Sequence, residues 1–263
     1  VGTGGAESIH KSHFLGAVYG IDRIIGRTHN PVRDLFSRAF KLASPSLPPI
    51  LFVHTVVERT ESGQSLLRGL YIGDDDRCFT EACSLSQRVN ITEMDAPADT
   101  ILVYLDPDEY RSIWLGNKAI YRSRPALAEQ GKLLIAAPGV CTFGEDKSID
   151  RLIRTYGYAG RERILDAVGQ DPELQNNLSA AAHLIHGSTE GRFHVTYYPG
   201  RLSREAVQAA GYGYGNLSKL LTQYPLGALH EGWNTIHGER LYVIGNPASG
   251  LWRHRDDRGA VRT

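Results

Sequence analysis

Thr100-Ile101-Leu102-Val103-Tyr104-Leu105, followed further on by Lys132-Leu133-Leu134-Ile135-Ala136-Ala137, are the two stretches that decide the fold class. Each is a short apolar run with β-branched residues and little polar alternation, the pattern of a strand covered on both faces. Between them, residues 109–127 read as a helix. Toward the C-terminus, Ile149, Leu152, Ile153 and Tyr156 recur at i, i+3, i+4 and i+7 and predict another helix. Helices are expected over 160–168, 172–186, 203–210 and 217–223, with strands over 193–198 and 241–244, the latter as the last strand. Such alternation predicts an α/β fold, a mixed or parallel sheet flanked by helices. Ligands in such sheets bind beyond the carboxyl ends of strands, here the loops after Leu105, Ala137 and Tyr198.

Toward the N-terminus, two apolar segments, 50–57 and 66–72, joined by Thr60-Glu61-Ser62-Gly63, predict a hairpin. Asp74-Asp75-Asp76 then reads as a cap with negative charge at a helix start rather than as a metal site; Phe79, Ala82 and Cys83 are its expected buried face. Pro31 opens an amphipathic helix over 31–42, with Val32, Leu35, Phe36 and Ala39 on one side. Residues 44–49 carry three prolines and read as a linker, and 14–25 as a helix or strand-turn.

Composition narrows the function. The 263 residues balance to a formal net charge of zero, without the basic surplus of a nucleic-acid binder. No run approaches the roughly 18 apolar residues of a membrane span. Cys78, Cys83 and Cys141 fit neither a disulfide framework nor zinc spacing and are expected as reduced, buried thiols of a cytoplasmic protein. The opening Val-Gly-Thr-Gly-Gly lacks the features of a secretion leader and reads like the middle of a protein, with a further polypeptide or partner subunit upstream. Residues 253–263 read as a frayed tail.

Four places offer chemistry. In Gly116-Asn117-Lys118-Ala119-Ile120-Tyr121-Arg122, Lys118 and Arg122 share a helix face and suit a carboxylate. Asn176, Ser179, His183 and His186 form a polar stripe on the helix expected over 172–186; two imidazoles three apart suit an acid/base pair or, more weakly, a metal. Neither Lys nor Glu occurs between Gln175 and Thr189, so the stripe is expected to face a water-containing cleft, with both histidines held neutral. His10, Lys11 and His13, with His29 beyond, suit an anion or a metal. The turn 137–145 presents Cys141 without an evident base, and Gly211-Tyr212-Gly213-Tyr214-Gly215 reads as a flexible aromatic loop, not a dinucleotide fingerprint.

Gly4-Gly5-Ala6-Glu7-Ser8-Ile9, Asn30-Pro31-Val32-Arg33, Gly73-Asp74, Pro97-Ala98-Asp99 and Lys118-Ala119 follow the order found in LarA-like proteins, the nickel-pincer lactate racemases and their relatives. Residues 116–124, 134–158 and 177–193 resemble a sugar-acid epimerase subgroup of that family. The resemblance implies that residues 1–90 end an N-terminal catalytic domain and that 91–263 form the C-terminal α/β domain. It implies a racemase or epimerase of a 2-hydroxy acid or sugar acid, working by hydride removal and return at the hydroxyl-bearing carbon. Lys118 would hold the substrate carboxylate, aided by Asn117, Arg122 and Ser179, with His183 and His186 as acid/base groups. The family's cofactor, a nickel-pincer nucleotide, is attached through a lysine and a nickel-binding histidine whose positions are here Glu7 and Arg23. Lys11, His13 and His29 lie nearby as candidate cofactor residues, the two histidines as metal ligands. The expected partners are a small hydroxy acid and an upstream polypeptide or a second copy. The competing readings are a cofactor-free enzyme on the same fold and a non-catalytic module that binds a sugar acid or completes a partner.

Overall fold

The computed structural model describes residues 5–60 and 63–254. The chain opens with helix α1 (Gly5–Tyr19) and, after a short 3-10 turn over Ile21–Arg23, helix α2 (Pro31–Ala43). Asn30 caps α2 by accepting from the Arg33 N–H at 3.0 Å, with Pro31 in the first turn. The expected hairpin is present: β1 (Phe52–Arg59) pairs antiparallel with β2 (Ser65–Gly73). One of its faces lies against α3 (Asp76–Asn90), which Asp75 caps as the sequence suggests. The other presents Val53, Thr55, Val57, Leu67, Leu70 and Ile72 to the outside. On α3 the buried residues are Cys78 and Ala82; Phe79 and Cys83 are half-buried.

Strand β3 (Ile91–Met94) leads into the six-stranded sheet through β4 (Ala98–Tyr104). Residues 109–127, expected as one helix, contain two short helices, α4 (Ile113–Gly116) and α5 (Lys118–Ser123), and a 3-10 turn over Arg124–Ala126. Pro125 and the buried side chain of Arg124 end helical winding before β5 (Leu127–Ala137) begins. Helices α6 (Lys147–Tyr156) and α7 (Arg161–Gln170) follow as predicted.

The helix expected over 172–186 is two: α8 (Pro172–Asn176) and α9 (Leu178–Gly187). Asn177 leaves the helical region at φ −123° and ψ 64°, and its side chain caps α9 by accepting from the Ala180 N–H. After β6 (His194–Pro199) and α10 (Arg204–Ala209), the segment expected to be a loose aromatic loop supplies an edge strand, β7 (Gly213–Tyr214). The chain then passes through α11 (Leu217–Gln223), β8 (Gly232–Ile236) and β9 (Glu239–Ile244). It does not fray at residue 253: β10 (Leu251–His254) is a strand parallel to β3, and only 255–263 of the expected tail lie outside the described residues.

The main sheet runs β7-β6-β5-β4-β9-β8, parallel except for the antiparallel β8–β9 pair. The fold is the mixed α/β sheet with flanking helices that the alternation implied. Side chains alternate between two buried layers. Ile101, Val103, Leu133, Ile135 and Tyr197 face the larger layer with α9, while Leu102, Ala136, Leu241 and Val243 face α11 with Leu220 and Tyr224. Helix α9 packs against α1, α5, α6, α7 and α8. Small residues Ala180, Ala181 and Ala182 permit that crowding, and all three are buried. The absence of Lys and Glu along this segment therefore reflects a helix enclosed by other helices, with Ile185 and His186 near its end lining a cavity. Among the described residues no helix is long and apolar enough to cross a membrane.

Candidate functional site

Chain order places the switch point between β4 and β9. From β4 the chain winds outward to β7, then returns to the other side of β4. The loops beyond Tyr104 and Ile244 meet there. Tyr110 donates its hydroxyl to Asn246 Oδ1 at 3.0 Å, and burial pushes that phenol up to about 12. Lys118 heads α5 beside this junction, half-buried, with Nζ 5.9 Å from the centre of the Tyr110 ring. Among the described residues no carboxylate lies within ion-pair distance of it. A cation so placed at the switch point of an α/β sheet suits an anionic substrate group.

Arg122 has a structural task. Its Nη1 donates to the carbonyls of Ala248 and Gly250 at 3.3 and 3.0 Å, which ties the segment between β9 and β10 to α5. Asn117, also expected at the substrate, is fully buried and faces inward. Its Oδ1 accepts from the Tyr197 hydroxyl at 2.8 Å, and its Nδ2 donates to the Tyr212 hydroxyl at 3.1 Å and toward His183 Nε2 at 3.4 Å.

His183 belongs to this inner cluster. Tyr158 donates its hydroxyl to His183 Nε2 at 2.9 Å, and the Trp114 ring stacks on the imidazole with centroids 4.1 Å apart. Tyr212 in turn donates to the Gly187 carbonyl at 2.8 Å. With two donors aimed at Nε2, the ring is neutral and its hydrogen lies on Nδ1. Burial, and then the neighbouring His186, lower its pKa to about 3. Burial also drives the Tyr158, Tyr197 and Tyr212 hydroxyls well above their usual value, so they stay protonated donors. The expected neutrality of His183 is present, but its acceptor nitrogen is already occupied. Its expected acid/base role is therefore corrected to one of holding the core around Asn117.

The stripe expected to join Asn176, Ser179, His183 and His186 is broken at Asn177. Asn176 ends α8 and is exposed, and Ser179 is half-buried in the first turn of α9. His186 turns away from His183 into a cavity of about 270 Å³ near the start of β5. There burial, and then Arg124 and His13, lower its pKa to about 4. The two histidines and Lys118 are not brought to one point. This second cavity, rich in arginine, is a feature that the sequence reading missed. Arg23, Arg27, Arg124, Arg161 and Arg192 are scattered along the chain, and only the tertiary fold gathers them.

The residues do not fit a nickel-pincer nucleotide. Glu7 and Lys11 form an exposed ion pair across one turn of α1. His13 Nδ1 donates to the Ile9 carbonyl at 2.7 Å, and both His13 and His29 are exposed. Arg23, a permanent cation, cannot ligate a metal. No group of three metal-ligating side chains occurs among the described residues. Cys141, expected to be buried, is exposed at the turn after β5, where its thiol donates weakly to the Arg111 carbonyl.

The architecture is that of an α/β protein whose fold matches part of a lactate racemase structure. A protein from Thermotoga maritima, solved as a structural-genomics target, superposes with a TM-score of 0.74 over 95% of this chain at 22% identity. The lactate racemase apoprotein from Thermoanaerobacterium thermosaccharolyticum superposes with a TM-score of 0.62 over 93% at 15% identity. The chain spans 60% and 55% of the length of those two structures. No protein-family model and no curated protein sequence matches it.

Proposed function

We propose that this chain contributes the carboxylate-binding part of an isomerase, a racemase or epimerase of a 2-hydroxy acid or sugar acid. The observation that carries the reading is Lys118. It is a half-buried ammonium without a carboxylate partner among the described residues, at the switch point of a sheet whose fold a lactate racemase shares. Lys118 holds the substrate carboxylate, and the neighbouring Tyr110–Asn246 hydrogen bond ties together the loops that follow β4 and β9. Hydride chemistry at the hydroxyl-bearing carbon needs a carrier that the residues around Glu7 and Arg23 do not fit. The reading for this chain therefore stops at binding and orienting the substrate. A further polypeptide segment or a second copy is the proposed source of the remaining reaction groups.

The change Lys118→Ala is expected to weaken binding of lactate or gluconate by roughly 2–4 kcal/mol, the loss of a charge-assisted contact at a partly buried site. Calorimetry on the whole chain measures it, and equal affinity in wild type and variant overturns the assignment. The second reading, a module that binds the sugar acid without turning it over, is favoured by the exposed Glu7–Lys11 pair where the family places its cofactor lysine. Proton NMR of gluconate incubated with the chain together with the proposed further polypeptide separates the two: epimerisation there selects the isomerase, and binding without epimerisation selects the module.

A further inference from the structure

A separate cavity of about 370 Å³ lies between α3 and α5. It is walled by residues 25–26, the last turn of α3, the start of β3, Arg122 of α5 and the 248–251 segment that leads into β10. Hydrogen bonds between these elements hold the wall in place. Gln87 Nε2 donates to the Gly26 carbonyl at 2.8 Å, and Asn90 Nδ2 donates to the Val57 carbonyl at 3.2 Å. Arg122 Nη1 adds its bonds to the carbonyls of Ala248 and Gly250. Gly26, at φ +70°, sits tightly on the apolar side: a Cβ there would stand 2.6 Å from Leu251 and 3.1 Å from Ile91. A wall pinned in this way is formed before a ligand arrives, as in most small-molecule sites.

Arg122 is the one charged residue in this lining among the described residues. Among those residues no carboxylate lies within ion-pair distance of it. The nearby phenols of Tyr110 and Tyr121 are pushed up by burial and stay neutral, so they do not offset its charge. Arg122 Nε is also buried without a hydrogen-bond partner in the protein. Buried donors are normally satisfied, and a cation drawn out of water without a counter-charge is costly. An anion in the cavity supplies both the missing acceptor and the missing charge.

We propose that this cavity binds a small monocarboxylic acid with an aliphatic body. A single guanidinium, with no second cation in the lining among the described residues, matches a single negative charge and leaves a phosphate dianion half neutralised. A carboxylate oxygen accepts from the Nε–H in a charge-assisted bond, while Nη1 keeps its two carbonyl partners. Ile25, Ile91 and Leu251 cover the aliphatic body. The volume lies near the lower end of the roughly 300–1,000 Å³ of ordinary ligand sites, which suits a short-chain acid and not a nucleotide. Lys118 is not part of the lining, so the site does not rest on the carboxylate role proposed for that residue.

The test follows the arginine Nε–Hε resonances of the whole chain by proton–nitrogen NMR, titrated with isocaproate and with isocaproamide. The resonance that disappears in Arg122→Lys is expected to shift saturably with isocaproate. It should stay in place with isocaproamide, which has nearly the same shape and no charge. Lys118→Ala is expected to leave that shift unchanged, which keeps this site separate from the one at Lys118. Ser86→Phe places a ring at the cavity wall and leaves Arg122 intact; it is expected to abolish the shift while far-UV circular dichroism matches wild type. In calorimetry on the Lys118→Ala background, Arg122→Lys is expected to weaken isocaproate binding by roughly tenfold or more, the loss of a hydrogen bond to a charged group. A resonance unmoved at millimolar isocaproate overturns the proposal. So does a shift as large with isocaproamide, which would mark an apolar pocket blind to charge, and so does a shift that vanishes in Lys118→Ala. Inorganic phosphate bound more tightly than isocaproate overturns the monocarboxylate assignment.

Discussion

Gly187 shows how one residue can hold a buried polar cluster together. A Cβ at this position would stand 2.5 Å from the Tyr158 ring and 2.6 Å from Asn117 Nδ2, both inside the network around His183. Neither neighbour can withdraw, because Tyr158 is committed to His183 and Asn117 to Tyr197 and Tyr212. Gly187→Ala is expected to destabilise the protein by about 1–3 kcal/mol, the usual cost of overpacking a tight core. Urea denaturation measures this, and an unchanged midpoint would show that the cluster is looser than described. Little of this network was legible in the sequence. His183 and Asn117 drew attention as chemically able residues, but the tyrosines that occupy them come from distant segments. Pattern reading detects polar residues at helical spacing; it does not reveal which hydrogen bonds those residues have already made. That Lys118 lies on a helix after β4 was legible because such a position needs only local order; the role proposed for it came from the family resemblance.

At the level of elements, the strands with long apolar runs, β4 and β5, and the strictly periodic α6 were readable because burial on a fixed face dictates their residues. Strands β3 and β10 escaped notice. Each is four residues long, and they are defined by pairing with one another across most of the chain, not by any alternation of their own. The hairpin was readable, yet its outer face was not explained by the main core. Val53, Leu67, Leu70 and Ile72 are each more than half exposed. A two-stranded sheet with such a face is marginal in water. The isolated chain is therefore expected to bind an apolar fluorescent dye such as ANS. The double change Leu70→Lys and Ile72→Thr should abolish most of the signal while far-UV circular dichroism stays the same. Dye binding that survives the double change would place the apolar surface elsewhere.

Across the whole molecule, the two depressed histidines tie stability to pH. Their folded pKa values, about 3 and about 4, lie below the unfolded value of 6.5, so between these limits the unfolded chain binds more protons. Stability from this source is complete above pH 6.5 and declines as pH falls toward 4 and then 3. The slope is on the order of 1.4 kcal/mol per pH unit for each histidine in that window. Thermal melts from pH 7 to pH 4 should show the decline, and His183→Phe should flatten it. An equal slope in the variant would assign the effect to other groups. The parallel pairing of β3 with β10 has a mechanical consequence. Tension that enters β3 at Ile91 and leaves β10 at His254 pulls two parallel strands in opposite directions along their length. The four residue pairs of the ladder are loaded together in shear, whereas an antiparallel hairpin pulled from its open end peels one bond at a time. In a force-extension experiment with the chain held by its two ends, this short clasp should resist as a unit and give way in a single rupture.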